Sequence, residues 1–265
     1  MTSAEPAASF GKAIWKERDD MEAYALTDTG RVRNMNQDYI YSSPEKVGSL
    51  PNLFLVADGM GGHKAGEYAS NQAIALVKRE VASDTESEPV QIINQGITTA
   101  NNSIYEEATQ DATKSGMGTT MVVATLLEDH LCVANVGDSR LYVYRDGQLS
   151  QITQDHSVVG EMVRKGEMPK EEARSHPKRN LITRAVGAEA EVRVDFFDET
   201  LQAGDLVLMC TDGLTSMVEE SEIEEVLAGS GQVADKVAKL VDLANDHGGK
   251  DNITVIVIEP FSDEV

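Results

Sequence analysis

Leu53-Phe54-Leu55-Val56-Ala57-Asp58-Gly59 is an apolar run that ends in a carboxylate, and it has three counterparts. They are Leu206-Val207-Leu208-Met209-Cys210-Thr211-Asp212-Gly213, Asp251-Asn252-Ile253-Thr254-Val255-Ile256-Val257-Ile258 and Asp38-Tyr39-Ile40-Tyr41. Each reads as a strand with an aspartate at its tip. Strands are rigid, so acids far apart in sequence can be held together at one end of a sheet, and only a cation makes such crowding of negative charge favourable. Metal-assisted chemistry is the expectation. Asp-Gly is also the commonest hairpin signal, and Asp146-Gly147, between Leu141-Tyr142-Val143-Tyr144 and Gln148-Leu149-Ser150, is expected to be such a turn. Asp58 and Asp212 differ because a Gly-rich loop or a helix, not a second strand at hairpin distance, follows each.

Outward from these runs, strands are expected near 23–28, 38–42 and 53–57, then helices at about 66–82 and 89–110. Ala69, Ala73, Leu76, Val77 and Val81 keep helical spacing in the first helix, as do Ile93, Ile97, Ala100, Ile104 and Ala108 in the second. Strands return at 119–127, 131–136, 140–145, 149–152, 192–197 and 206–211. A second helix pair follows at about 221–228 and 231–246, and the last strand is 253–258. Runs of strands with helices in pairs predict an α+β fold with a mainly antiparallel two-sheet core covered by helices, not a doubly wound parallel sheet.

The 265 residues are enough for a single domain with a substantial core, expected over 21–265. Residues 1–20 read as a loosely ordered arm that docks through Phe10, Ile14 and Trp15. The segment 155–185 carries Arg164, Lys165, Lys170, Arg174, Lys178, Arg179 and Arg184 against Asp155, Glu161, Glu167, Glu171 and Glu172, so it is locally basic in an acidic chain. It is either a solvated insertion or a flap facing substrate. The formal net charge of -22 opposes nucleic acid and anionic membrane as partners. Cys132 and Cys210 lie within apolar runs without metal or redox spacing, so both belong to the core. No apolar stretch reaches membrane-spanning length and no secretory signal opens the chain, which makes a reducing, cytoplasmic setting the expectation.

Gly59-Met60-Gly61-Gly62-His63-Lys64 fails the dinucleotide fingerprint at Lys64, and Gly61 to Gly66 fails the phosphate-loop pattern at Glu67. The five histidines include no pair at zinc-ligand spacing on a helix. Carboxylate and carbonyl donors suit magnesium or manganese.

Six ordered motifs then point one way. Arg33-Asn34-Met35-Asn36-Gln37-Asp38, Val56 to His63, Gly118-Thr119-Thr120, Asn135-Val136-Gly137-Asp138-Ser139-Arg140, Cys210 to Leu214 and Gly249-Lys250-Asp251-Asn252 resemble the metal-dependent serine/threonine protein phosphatases of type 2C in their compact bacterial form. The resemblance covers residues 23–258. It implies a four-layer αββα sandwich and hydrolysis of phosphoserine and phosphothreonine on proteins, in opposition to a serine/threonine kinase. It also implies that Asp58 bridges two Mn2+ or Mg2+ ions, that the Gly59 carbonyl binds one of them, and that Asp212 and Asp251 bind the other. Asp38 acts through metal-bound water, Arg33 grips the substrate phosphate, and Asp138 serves a third, weaker ion. Such a pair of ions, about 3.5–4 Å apart, lowers the pKa of a bridging water and supplies hydroxide for in-line attack, with no phosphoenzyme needed.

Two positions depart from the family pattern. Gln37 stands where a glutamate is frequent, which removes one negative charge and bears on metal affinity. Met60 stands where better-studied eukaryotic relatives carry a histidine as general acid, so the leaving-group acid is unassigned, with His63 or a metal-bound water as candidates. A catalytically weak, phosphoprotein-binding member of the same fold is the alternative function, and its signature would be loss of metal aspartates. A two-metal nuclease is opposed by the net charge. A monomer is expected.

Overall fold

The computed structural model describes residues 21–262 other than His63, Glu86 and Ser175. The expected N-terminal arm, with Phe10, Ile14 and Trp15, lies outside the described residues, as does His63.

Two antiparallel sheets form the centre. The first contains β1 (Glu22–Asp28), β7 (Arg140–Arg145), β8 (Gln148–Gln151), β10 (Leu206–Cys210) and β11 (Ile253–Glu259), in the order β1-β11-β10-β7-β8. The second contains β2 (Asp38–Ser43), β3 (Leu53–Met60), β5 (Met121–Leu127), β6 (His130–Val136) and β9 (Asp195–Thr200) in the order β2-β3-β5-β6-β9, with short β4 (Gly118–Thr119) pairing on β3. Helices α1 (Ala65–Ser83) and α2 (Pro89–Gln110) cover the second sheet. The first sheet is covered by α5 (Asp212–Thr215), α6 (Glu220–Ala228) and α7 (Val233–Asp246). Helices α3 (Val158–Arg164) and α4 (Lys170–Ala173) lie within the basic segment.

This layering explains why the central strands are apolar without alternation. In β3, Leu53, Leu55 and Ala57 pack under α1 and α2, whereas Phe54 and Val56 face the other sheet. In β11, Val255 and Val257 pack under the α5–α7 layer, whereas Ile256 and Ile258 face inward. Both faces of each strand are thus withdrawn from water, and burying one such side chain stabilises the fold by about 1.5–3 kcal/mol. α1 lies close to its sheet because Ala69 and Ala73, fully buried, keep the contact face narrow. α2 approaches α1 at Gly96, where an added Cβ would stand 3.3 Å from the Val77 Cα.

Three expected strands are adjusted. Residues 119–127 split at Thr120, whose N–H turns to the Asp58 carbonyl at 2.9 Å, so β4 and β5 pair with different parts of β3. The strand expected at 192–197 begins at Asp195, because pairing with β6 starts at Asn135 opposite Asp195; Val192 and Val194 are partly buried against the helix-side core. β3 runs on through Asp58-Gly59 to Met60. Asp146-Gly147 is the turn between β7 and β8, with φ of 51° and 83°, as a type I′ hairpin requires. Cys132 and Cys210 are free and buried, and burial pushes both thiols up to about 12.

Candidate metal centre

The acids meet where the two sheets come together at one end. Asp38 opens β2 and stands directly opposite Asp58 in the β2–β3 register, a like-charge pairing that is unfavourable on its own. Asp212 opens α5 immediately after β10, and Asp251 lies two residues before β11. Asp138 sits in the link between β6 and β7, where the chain passes from one sheet to the other. Arg33, Asp58, Gly59, Asp138, Asp212 and Asp251 line one cleft of about 260 Å³, together with Gln37, Met60, Asn180 and Ile182. Asp38 is 4% exposed and does not line the cleft.

Asp38 is held by hydroxyls from the other sheet. Thr211 Oγ1 and Thr254 Oγ1 donate to its Oδ2 at 2.8 and 2.7 Å, and Thr254 in turn is 2.7 Å from Thr27 Oγ1, to which Asn36 Nδ2 donates. Asn252 ties the loops: its Oδ1 accepts from the Gln37 N–H, and its Nδ2 donates to the carbonyls of Thr29 and Met35. The Asp58 N–H donates to Thr120 Oγ1, which contacts Ser139 Oγ at 2.8 Å. Close backbone approach needs glycine at two places. A Cβ on Gly59 would stand 2.0 Å from the Gly66 carbonyl oxygen, and one on Gly213 would stand 1.9 Å from that of Asn252.

The electrostatics are those of crowded acids. Burial, then the charges of Asp38, Asp212, Asp138 and Asp251, push the Asp58 carboxyl well above the usual carboxylate range. Burial pushes Asp38 up to about 7 against its two threonine hydrogen bonds, with Asp212 and Asp251 adding to the rise. Asp212 reaches about 6, raised by burial and Asp251 and opposed by Arg140, Arg33 and Arg179. Asp138 is raised by burial, Asp212 and Asp155.

Among the described residues, no three acid, imidazole or thiolate side chains already form a closed ligand cage. Arg33 instead pairs with Asp251, Nη2 to Oδ2 at 2.8 Å, so a cation already sits on one acid of the set. The donor chemistry nevertheless fits hard divalent ions: every candidate donor is oxygen, and Asp38 Oδ1 is buried without a hydrogen-bond partner.

The basic segment contributes to the site at Asn180 and Ile182, while much of its charge is taken up by contacts away from the cleft. Arg174 pairs with Glu219, Lys170 with Glu220 at 2.8 Å, Arg184 with Asp195 at 2.9 Å, and Arg164 donates to the Asp155 carbonyl. A second groove of about 440 Å³ runs between this segment and α5–α6 and meets the acidic cleft at Asp138, Asn180 and Asp212. The hydroxyls of Thr211 and Thr254 and the cleft residues Asn180 and Ile182 escaped the sequence reading. A threonine interrupting an otherwise apolar strand was the available signal for the first two.

Comparison with known proteins shows the family. The protein phosphatase 2C family model matches residues 30–253. The serine/threonine phosphatase stp of Listeria innocua is 40% identical over 245 residues, covering 90% of this chain and 96% of its own length. The S. agalactiae serine/threonine phosphatase structure superposes with a TM-score of 0.84 at 37% identity, over 91% of this chain and 99% of its own. The catalytic domain of the phosphatase PstP in complex with two manganese ions is 34% identical, with a TM-score of 0.79, over 90% of this chain and 97% of its own. The chain belongs to the protein phosphatase 2C family and is a protein-serine/threonine phosphatase. Among the described residues no helix is long and apolar enough to cross a membrane.

Proposed function

We propose that this phosphatase hydrolyses phosphoserine and phosphothreonine with two divalent cations, Mn2+ or Mg2+, and opposes a serine/threonine kinase. The observation that carries the proposal is the gathering of Asp58, Asp138, Asp212 and Asp251 around one cleft with Arg33. The manganese pair in the similar PstP domain supports the choice of cation.

Asp58 and the Gly59 carbonyl would hold one ion, and Asp58 would share the second with Asp212 and Asp251. Asp138 would serve a weaker third ion. When bound, the cations supply hydroxide at neutral pH and neutralise the charge on the phosphoryl oxygens. The chain's own part is orientation. Asp38, with Oδ2 fixed by Thr211 and Thr254, keeps Oδ1 to orient water. Arg33 leaves Asp251 for the substrate phosphoryl group, where its planar fork matches two oxygens. Met60 lines the cleft, but a thioether has no proton to give the leaving oxygen. We further propose that residues 21–265 act as one catalytic domain and that the segment 155–185, through Asn180 and Ile182, faces the substrate.

Phosphate release from a phosphothreonine peptide tests the proposal. Mn2+ or Mg2+ should activate, chelator should abolish, and Asp58→Ala should lose at least about a hundredfold, the scale on which removing electrostatic stabilisation acts. Release that persists in chelator, or an Asp58→Ala enzyme near wild-type turnover at saturating metal, would overturn it.

A further inference from the structure

His156 is a buried histidine that the chemistry above does not use, 4% exposed and some distance in sequence from every candidate ligand. It grips the residue before Asp138 twice. Its backbone N–H donates to the Gly137 carbonyl at 2.9 Å, and the Gly137 N–H donates to its Nδ1 at 3.0 Å. Because Nδ1 accepts, the ring proton lies on Nε2, which donates to Asp195 Oδ2 at 3.0 Å. Arg184 Nη1 stands 3.0 Å from Nε2 and donates to Asp195 Oδ1 at 2.9 Å, so imidazole and guanidinium share the one carboxylate.

On the far side, Gly137 lies against Thr120. Its φ is +109°, and an added Cβ would stand 2.6 Å from Thr120 Cγ2. Thr120 Oγ1 accepts from the Asp58 N–H. The turn carrying Asp138 is therefore clamped between the Asp58 strand and the His156 ring. His156 also joins the basic segment: Thr183 N–H donates to its carbonyl at 2.8 Å, and Ser157 bridges to Ile182, which lines the metal cleft.

We propose that His156 is a positioning residue that fixes Asp138 toward the metal cleft and ties that position to the flap. The proposal rests on the divalent-cation reading of Asp138. A ring held at both nitrogens, one by the loop to be placed and one by a carboxylate, is how a protein orients a group it does not itself use as a ligand.

Calorimetric titration of the full chain with Mn2+ tests it, alongside turnover on a phosphothreonine peptide. His156→Leu should weaken the weakest Mn2+ site at least tenfold and leave the tighter sites within twofold. His156→Asn, whose amide oxygen can take the Gly137 N–H, should restore most of that affinity. In an Asp138→Ala background, His156→Leu should add no further loss, since both changes act through one carboxylate. Losses that multiply, or an Asn variant as weak as Leu, would reduce His156 to a packing residue and overturn the proposal. An Asp138→Ala protein that binds Mn2+ as the wild type does would overturn it too, by removing its target. If His156→Leu fails to fold, Asp195→Asn decides: it should shift the weakest site in the same direction by a smaller factor, and an unchanged titration refutes the coupling. Wild-type protein that binds no Mn2+ at all would instead refute the cation reading.

Discussion

Replacing Asp212 with asparagine separates the charge of the metal cleft from its shape. Burial and the neighbouring Asp251 lift this carboxyl from 3.8 to about 6. Ionising Asp212 in the folded, chelated protein is therefore expected to cost on the order of 3 kcal/mol at neutral pH, at about 1.4 kcal/mol for each factor of ten. The folded state binds the proton more tightly than the unfolded state. Its contribution is therefore complete below 3.8 and is lost as pH rises through 6. Asparagine never ionises. Chelated Asp212→Asn should be more stable than chelated wild type above pH 6, and the gain should shrink towards zero as pH falls to about 4. At about 2–4 °C per kcal/mol for a protein of this size, the shift is several degrees in Tm. Added Mn2+ should reverse the order, because the wild type gains a ligand-linked stabilisation that the variant cannot match. Scanning calorimetry of both proteins from pH 4.5 to 8, with chelator and with Mn2+, reads all three effects. A Tm difference that is the same at pH 4.5 and pH 8, or a variant less stable than wild type at pH 8 in chelator, would refute the reasoning.

Arg33→Ala should raise KM for a phosphothreonine peptide by about 10- to 100-fold, the equivalent of about 1.5–3 kcal/mol for charged hydrogen bonds, and an unchanged KM in steady-state assays would remove Arg33 from phosphate binding. Neutralising Arg164, Lys165 and Arg174 together should alter selectivity among phosphopeptides and barely change hydrolysis of a small aryl phosphate. Equal loss on both substrates would point to the internal Arg174–Glu219 pair and a folding defect. Phe54→Ala, at 1% exposure between the two sheets, should destabilise by about 3–5 kcal/mol in urea unfolding, and a change under 1 kcal/mol would contradict its place in the core.

The apolar runs made the strands legible because both faces of β3, β10 and β11 are buried and their composition has no other use. Helical spacing in Ala69 to Val81 and Val233 to Ala244 made the covering layers equally plain. Pairing was less legible: β9 takes its start from Asn135 across the sheet, and nothing local to Val192 reports that register. The aspartates could be picked out because each interrupts or ends an apolar run. The groups that orient them could not, since Thr211 and Thr254 contact Asp38 across 173 and 216 residues of sequence. The basic segment was ambiguous for a physical reason: Arg174, Lys170 and Arg184 are held by acids outside it, in α6, just before it or in β9, and sequence alone does not say where a cation finds its counter-charge.

The pairing of the first described strand with the last, Glu22 opposite Glu259 through Asp28 opposite Ile253, sets an order of events during synthesis. Arg33 emerges from the ribosome 218 residues before its partner Asp251, and Asp38 emerges 216 residues before the Thr254 hydroxyl that orients it. A nascent chain carrying α1, α2 and the entire second sheet still lacks Asp212 and Asp251, and its first strand waits without its β11 partner. The proposed centre therefore cannot close until Asp251 and Thr254 have been made, and its closure depends on a slow kind of contact, one that spans 216 to 218 residues of chain.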